Sequence, residues 1–202
     1  MDATASRRKY AKGLEIQDRI VSAAARQFAE LGYAGCSIMD LSAAAQVSKN
    51  QLFHHFGSKE NIALACVERV RHEWQNEVAT PAQIYPGPAE QLDFILTKLA
   101  QLLESGWPGL RVLASMSATC FSVPEPVAQA LGAVLDEMQQ QLRGIIKEGR
   151  RKGSVSPGVK ARVAADYALS VLLGAAVLGA ADAGRGVGAI NTLRSQLLGN
   201  QA

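Results

Sequence analysis

Apolar residues recur every three to four positions along this chain, the period of one helix face, and no run alternates in the manner of a strand. The pattern predicts an all-α protein of about nine helices. In the first, Ile16, Ile20, Ala24 and Phe28 lie four apart, Leu31 follows, and Gly32 suits the left-handed position that ends a helix. Ser37 opens the second helix, with Asp40 three residues on for a reciprocal capping box, and Ile38, Leu41 and Ala45 face inward. After a turn at Gln46 and Val47, Ser48 and Gln51 repeat the box, while Leu52 and Phe56 stand one turn apart. Gly57 closes this third helix and Ser58 caps a fourth, which runs through Ile62, Cys66, Val70 and Trp74 towards Pro81.

Thr80 to Pro88, rich in proline, breaks the pattern. Beyond it, Glu90–Ser105, Gly109–Phe121, Val127–Lys152, Val159–Ala181 and a weaker Ile190–Leu198 complete the helices. This organisation predicts a basic flexible arm over residues 1–14, a small three-helix head over 15–62 and a larger helical body over 63–202, with the fourth helix, about 59–80, as connector.

The chain of 202 residues is long enough to bury a core without staples. Its three cysteines, Cys36, Cys66 and Cys120, are widely spaced with no CxxC pair, so neither a disulfide framework nor a zinc site is expected. The polar N-terminus is unlike a secretory signal, and the apolar run Tyr167–Ala181 is shorter than a bilayer span requires. A cytoplasmic protein without a membrane segment is therefore expected. The formal net charge is +3, with positive residues gathered at Arg7, Arg8, Lys9 and Lys12 and again from Arg143 to Arg162. The first cluster suits phosphate; the second suits the negative dipole end of a long helix.

Two short capped helices joined by a tight turn form the pattern that sets a recognition helix in the DNA major groove. Its particular residues are Ile20, Ala23, Ala24, Phe28, Gly32 and Tyr33, then Ser37, Ile38 and Leu41, then Val47, Ser48, Leu52, His55, Phe56, Ser58, Lys59 and Glu60. Over roughly residues 15 to 65 this string resembles the tetracycline-repressor (TetR) family. The resemblance implies a homodimeric regulator, usually a repressor, that grips a palindromic operator in double-stranded DNA and releases it when a small effector enters the second domain.

Lys49, Asn50 and Gln51 occupy the first turn of the recognition helix and are the expected base contacts, lysine to guanine and an amide to adenine. Ser37, Ser48, Phe53, His54, Lys59, Arg7, Arg8 and Lys9 are the expected phosphate contacts. For Ser37 and Ser48 capping is an equally good account, and Phe53 lacks the hydroxyl of the tyrosine frequent in the family. Gln46 stands where the family usually has glycine, so a positive φ there would cost about 1 kcal/mol. Asn50 likewise replaces a frequent small residue. His54 and His55 diverge by about 100° on a helix and have no further ligands in view, so no metal is expected.

In the second domain the eighth helix is small-sided, which permits close approach between helices. Ala168, Leu172, Ala175, Ala176 and Gly179, with Leu193 and Leu197, are the expected dimer interface, since the family pairs its last two helices into a four-helix bundle. Phe94, Leu103, Trp107, Leu113, Met116, Phe121 and Tyr167 are the large side chains available for an effector pocket, which favours an apolar or aromatic ligand. All could equally be core. An alternative trigger is oxidation of a cysteine, Cys36 above all because it adjoins Ser37. A third reading, an all-helical carrier or enzyme, finds no catalytic constellation and no cofactor motif: the three histidines fall between residues 54 and 72, without the order or partners a hydrolytic site needs.

Overall fold

A computed structural model describes residues 3–157 and 160–199; the side chains of residues 3–6, 8, 9 and 120 are outside the described set. Among the described residues there are nine α-helices of eight residues or more and no strand, as the hydrophobic periodicity predicts. They are α1 (Ala3–Gly35), α2 (Ile38–Ala45), α3 (Lys49–Phe56), α4 (Lys59–Glu73), α5 (Pro88–Glu104), α6 (Gly109–Ala118), α7 (Glu125–Arg151), α8 (Ala161–Ala181) and α9 (Ala183–Leu198).

The head forms around α1. Ile20, Ala24 and Phe28 of α1, Leu41 and Ala45 of α2, Leu52 of α3 and Ile62 and Cys66 of α4 are all at most 1% exposed, so each short helix contributes its apolar stripe to one core. Helices of eight residues are marginal alone in water; packing of these stripes holds them. At Gly32 (φ 68°, ψ 176°) α1 leaves helical geometry, and the last turn, Tyr33 to Gly35, takes a new direction.

Three boundaries differ from expectation. The basic arm is not separate: α1 begins at Ala3, because Ala, Arg and Lys are strong helix formers and no proline precedes Pro81 to stop them. The fourth helix also continues, through a π-helical turn at Trp74–Ala79 and a short turn at Thr80–Ala82, so the break falls at Gln83 to Gly87. The last helix starts seven residues early, at Ala183, despite three glycines in its first turns. Packing overrides their poor helix propensity at Gly186, where a Cβ would lie 2.5 Å from the Ala175 carbonyl oxygen and 2.5 Å from Leu103.

The body is bound to the head along α4. Arg69 donates to Ser22 at 2.6 Å and pairs with Asp18, both on α1. One turn later Glu73 accepts from the indole N–H of Trp107 at 2.6 Å, and the buried Trp74 donates to Gln141 on α7 at 2.5 Å. α1 also packs along α6, with Gly32 against Ser115 and Thr119.

α8 is long and apolar enough by length and composition to cross a bilayer. Here it is a helix with one buried face, Ala164, Ala165, Ala168, Leu172, Ala175 and Ala176, and one exposed face.

Candidate nucleic-acid interface

The interface is built from helix ends. Ser37 and Ser48 precede α2 and α3 in extended conformation, and each hydroxyl accepts from the backbone N–H three residues on, at 3.1 Å. In return Asp40 and Gln51 accept from the backbone N–H of Ser37 and Ser48, at 2.8 and 3.0 Å. Both boxes are complete, satisfying amides that would otherwise be orphaned. The Ser48 hydroxyl still has its own proton to donate, so capping leaves room there for a phosphate contact, whereas the Ser37 hydroxyl also stands against the Asp40 carboxylate.

The turn between α2 and α3 is tight. Gln46 sits in the left-handed region at φ 52°, ψ 44°, the positive angle that a glycine would take more cheaply. Its N–H donates to Ala43, and the Val47 N–H donates to Ser42.

Lys49, Asn50 and Gln51 are all exposed at the N-terminal end of α3. Their side chains are not equally available. The Gln51 carbonyl oxygen is committed to Ser48, so a bidentate amide pairing with adenine would cost that cap. Asn50 has no such commitment. The Lys49 ammonium lies 5.8 Å above the Phe53 ring, one turn along, which assigns Phe53 an aromatic rather than a hydrogen-bonding part in this surface. His54 is exposed and His55 half-buried, their rings edge to face at 5.4 Å; no cluster of metal-ligating residues occurs among the described residues.

Lys59 occupies the first turn of α4, behind Ser58, whose hydroxyl accepts from Asn61 at 3.1 Å. The Asn61 amide donates to the Phe56 carbonyl at 2.7 Å and so locks the end of α3 to the start of α4. Burial draws the Lys59 ammonium below the ordinary lysine range, and nearby Cys36 and Asp40 oppose that shift. Arg7 is exposed on α1; the Arg8 and Lys9 side chains lie outside the described residues.

The body departs further from expectation. Ala168, Leu172, Ala175, Ala176, Leu193 and Leu197 are at most 6% exposed within the single chain, and Gly179 packs against Leu103. They are core, not interface. Side chains already buried by their own chain cannot meet a second copy without unfolding α8 from α6, α7 and α9. The opposite face of α8 carries Val163, Tyr167 and Val177, each about half exposed, and with them the exposed Gly174 and Leu178.

The large residues expected to line one pocket are dispersed. Leu113 and Met116 are fully buried, Leu103 nearly so, and Phe121 stands wholly exposed in the turn after α6. Tyr167 donates to Gln196 at 2.9 Å on the outer face, and Trp107 is spent on Glu73. Of these residues only Phe94 lines a cleft of about 800 Å³ between α5 and α9, where it packs against Tyr85 with ring centroids 5.1 Å apart. Asp93 and Arg194 pair across that cleft at 2.5 Å.

Burial also governs the cysteines. Cys36 and Cys66 are free and buried; desolvation raises both thiols, Cys66 to about 12, which removes the thiolate that oxidation needs. The Cys120 side chain is outside the described residues.

Tyr33 and the outer face of α8 were missed by sequence reasoning about sites. Tyr33 stood in the motif with no task, and in the otherwise apolar α8 only Arg162, Asp166 and Ser170, four apart, mark the free face.

Residues 20–66 match the family described as bacterial regulatory proteins, tetR family. The chain is 26% identical over 179 residues to the A-factor receptor protein of Streptomyces griseus, covering 88% of this chain and 59% of that one. It thus spans under two thirds of that relative's length. It is 21% identical over 161 residues to the HTH-type transcriptional repressor DhaR of Mycobacterium sp. (strain GP1), covering 79% and 80% of the two chains. The crystal structure of AibR in complex with isovaleryl coenzyme A and operator DNA superposes with a TM-score of 0.76 at 22% identity, over 91% of this chain and 98% of that one.

Proposed function

We propose that the chain is a TetR-family transcriptional regulator, a cytoplasmic homodimeric repressor released from a palindromic operator by a small-molecule effector; the match of residues 20–66 to that family supports the reading. One observation carries the reading. Two eight-residue helices, each closed by a complete capping box, present Lys49 and Asn50 at the exposed N-terminal end of the second, with Lys59 at the start of the following helix. That places donors for base edges and a cation for phosphate on one surface.

Dimerisation is assigned to the exposed face of α8, through Val163, Tyr167 and Val177, because apolar side chains aligned on one helix face are stabilised by burial against a second copy. The effector is assigned to the cleft between α5 and α9. Its Tyr85 and Phe94 rings suit an aromatic or apolar portion, and the Asp93–Arg194 pair suits a polar group. AibR, whose structure holds both isovaleryl coenzyme A and operator DNA, supports the same two-site logic here. An effector acts by binding the DNA-incompetent arrangement of the dimer more tightly than the DNA-competent one.

Selection of duplexes from a random pool, followed by binding as a function of salt, tests the DNA reading. Recovery of a palindrome bound with steep salt dependence is expected. Recovery of no enriched duplex, or binding indifferent to salt, sinks it.

A further inference from the structure

We propose that Tyr33 is a positioning residue for operator binding: its ring face holds the Lys59 ammonium where it meets a DNA phosphate. The inference rests on the DNA-binding reading above and adds to it the residue that aims the lysine.

The geometry begins at Gly32. In an uninterrupted helix Phe28 and Tyr33, five residues apart, would point about 140° away from one another. The positive φ of Gly32 breaks α1 there, and Tyr33 folds back until its ring stacks on Phe28, centroids 5.8 Å apart and planes at 28°. Phe28 is fully buried in the head core, so the Tyr33 ring is anchored from beneath. From the start of α4, the Lys59 Nζ lies over this ring, 4.1 Å from its centroid. This is well inside the range of a cation–π contact, and far closer than the 5.8 Å of Lys49 over Phe53.

A lysine has four flexible bonds and loses that freedom when its ammonium is fixed by a phosphate. Held over a ring that is itself packed on the core, Lys59 loses less on binding, and its charge stays at the N-terminal turn of α4, where the helix dipole also favours an anion. Asp40, in the first turn of α2, and Cys36 are the other groups that sense the Lys59 charge; neither forms an ion pair or hydrogen bond with its ammonium. No hydrogen bond from the Tyr33 hydroxyl is part of this device. The ring face alone carries it.

The test compares Tyr33→Leu, Tyr33→Met, Tyr33→Phe, Lys59→Met and the double variant Tyr33→Leu/Lys59→Met on a duplex selected from the random pool. The Met variant fills the volume against Phe28 and serves if the Leu variant does not fold, which a thermal melt reports. Loss of the aromatic face is expected to weaken binding about three- to ten-fold. It should also flatten the slope of log affinity against log salt by about two for a dimer, one phosphate for each head. Lys59→Met is expected to flatten the slope equally, the double variant to lose nothing further, and Tyr33→Phe to restore affinity. A wild-type slope in the Leu or Met variants, or an equal loss from Tyr33→Leu in the Lys59→Met background, overturns the inference while leaving DNA binding intact. A wild-type chain that binds no duplex overturns both.

Discussion

The hydroxyl of Ser42 donates to the main-chain carbonyl of Val47 at 2.6 Å, closing the turn between α2 and α3 from inside the head. Ser42 is 7% exposed, so the bond is made away from water. Ser42→Ala leaves the Val47 carbonyl without this partner and is expected to cost about 1–2 kcal/mol. In the same turn Gln46→Gly relieves the left-handed strain and is expected to stabilise the head by up to about 1 kcal/mol. Thermal melts of the two variants check this; a lower melting temperature for Gln46→Gly would contradict the strain argument.

On the recognition helix, Lys49→Ala and Asn50→Ala are each expected to weaken binding to a selected operator by about 1–3 kcal/mol and to relax preference at one base pair. Gln51→Ala differs, because its carbonyl oxygen serves Ser48: it lowers stability and leaves base preference nearly unchanged. Repeating the selection with each variant separates the two outcomes. A shift of preferred base in Gln51→Ala alone would reassign the reading residue.

The two faces of α8 respond oppositely to charge. Val177→Glu, on the exposed face, is expected to give a folded monomer in sedimentation. Leu172→Glu, on the fully buried face, places a carboxylate in the core and is expected to abolish folding. A dimer that survives Val177→Glu and Tyr167→Glu alike would remove this face as the interface.

Gly186 of α9 lies close against the α8 backbone. A Cβ there would lie 2.5 Å from the Ala175 carbonyl, which is backbone and cannot rotate aside. Gly186→Ala is expected to destabilise by about 1–3 kcal/mol in chemical denaturation. Gly188→Ala, where a Cβ meets nothing within 4 Å, is expected to be neutral or stabilising, as helix propensity predicts.

The capping box of α2 gives an acid dependence. Hydrogen bonds from Ser37, side chain first and backbone second, hold the Asp40 carboxyl below its ordinary range. A depressed carboxyl stabilises the fold above its unfolded pKa and loses that contribution as pH falls through the lower, folded value. The difference in melting temperature between the wild type and Asp40→Asn is therefore expected to be full at neutral pH and to shrink below about pH 4. A difference that stays constant down to pH 2 would show that the charge of Asp40 contributes nothing.

The amino-acid sequence alone determined what depends on neighbours a few residues away. The Ser37–Asp40 and Ser48–Gln51 boxes, the Gly32 break, the strained Gln46 and the helical period are all set within one turn of chain, and each was legible before any contact was known. The head's motif was legible for the same reason. Tertiary structure decided what several faces could satisfy equally. Beyond Ser170 α8 is apolar all round, so its sequence did not say that Leu172, Ala175 and Ala176 would fill the chain's own core and leave Val177 outside. The glycines of α9 read as a break until Gly186 met Ala175. The expected pocket residues dispersed because a large apolar side chain fits a core as well as a cleft. Lys59 came to rest over Tyr33, 26 positions away in the chain, and only the reversal at Gly32 and the packing of α4 on α1 bring those groups together.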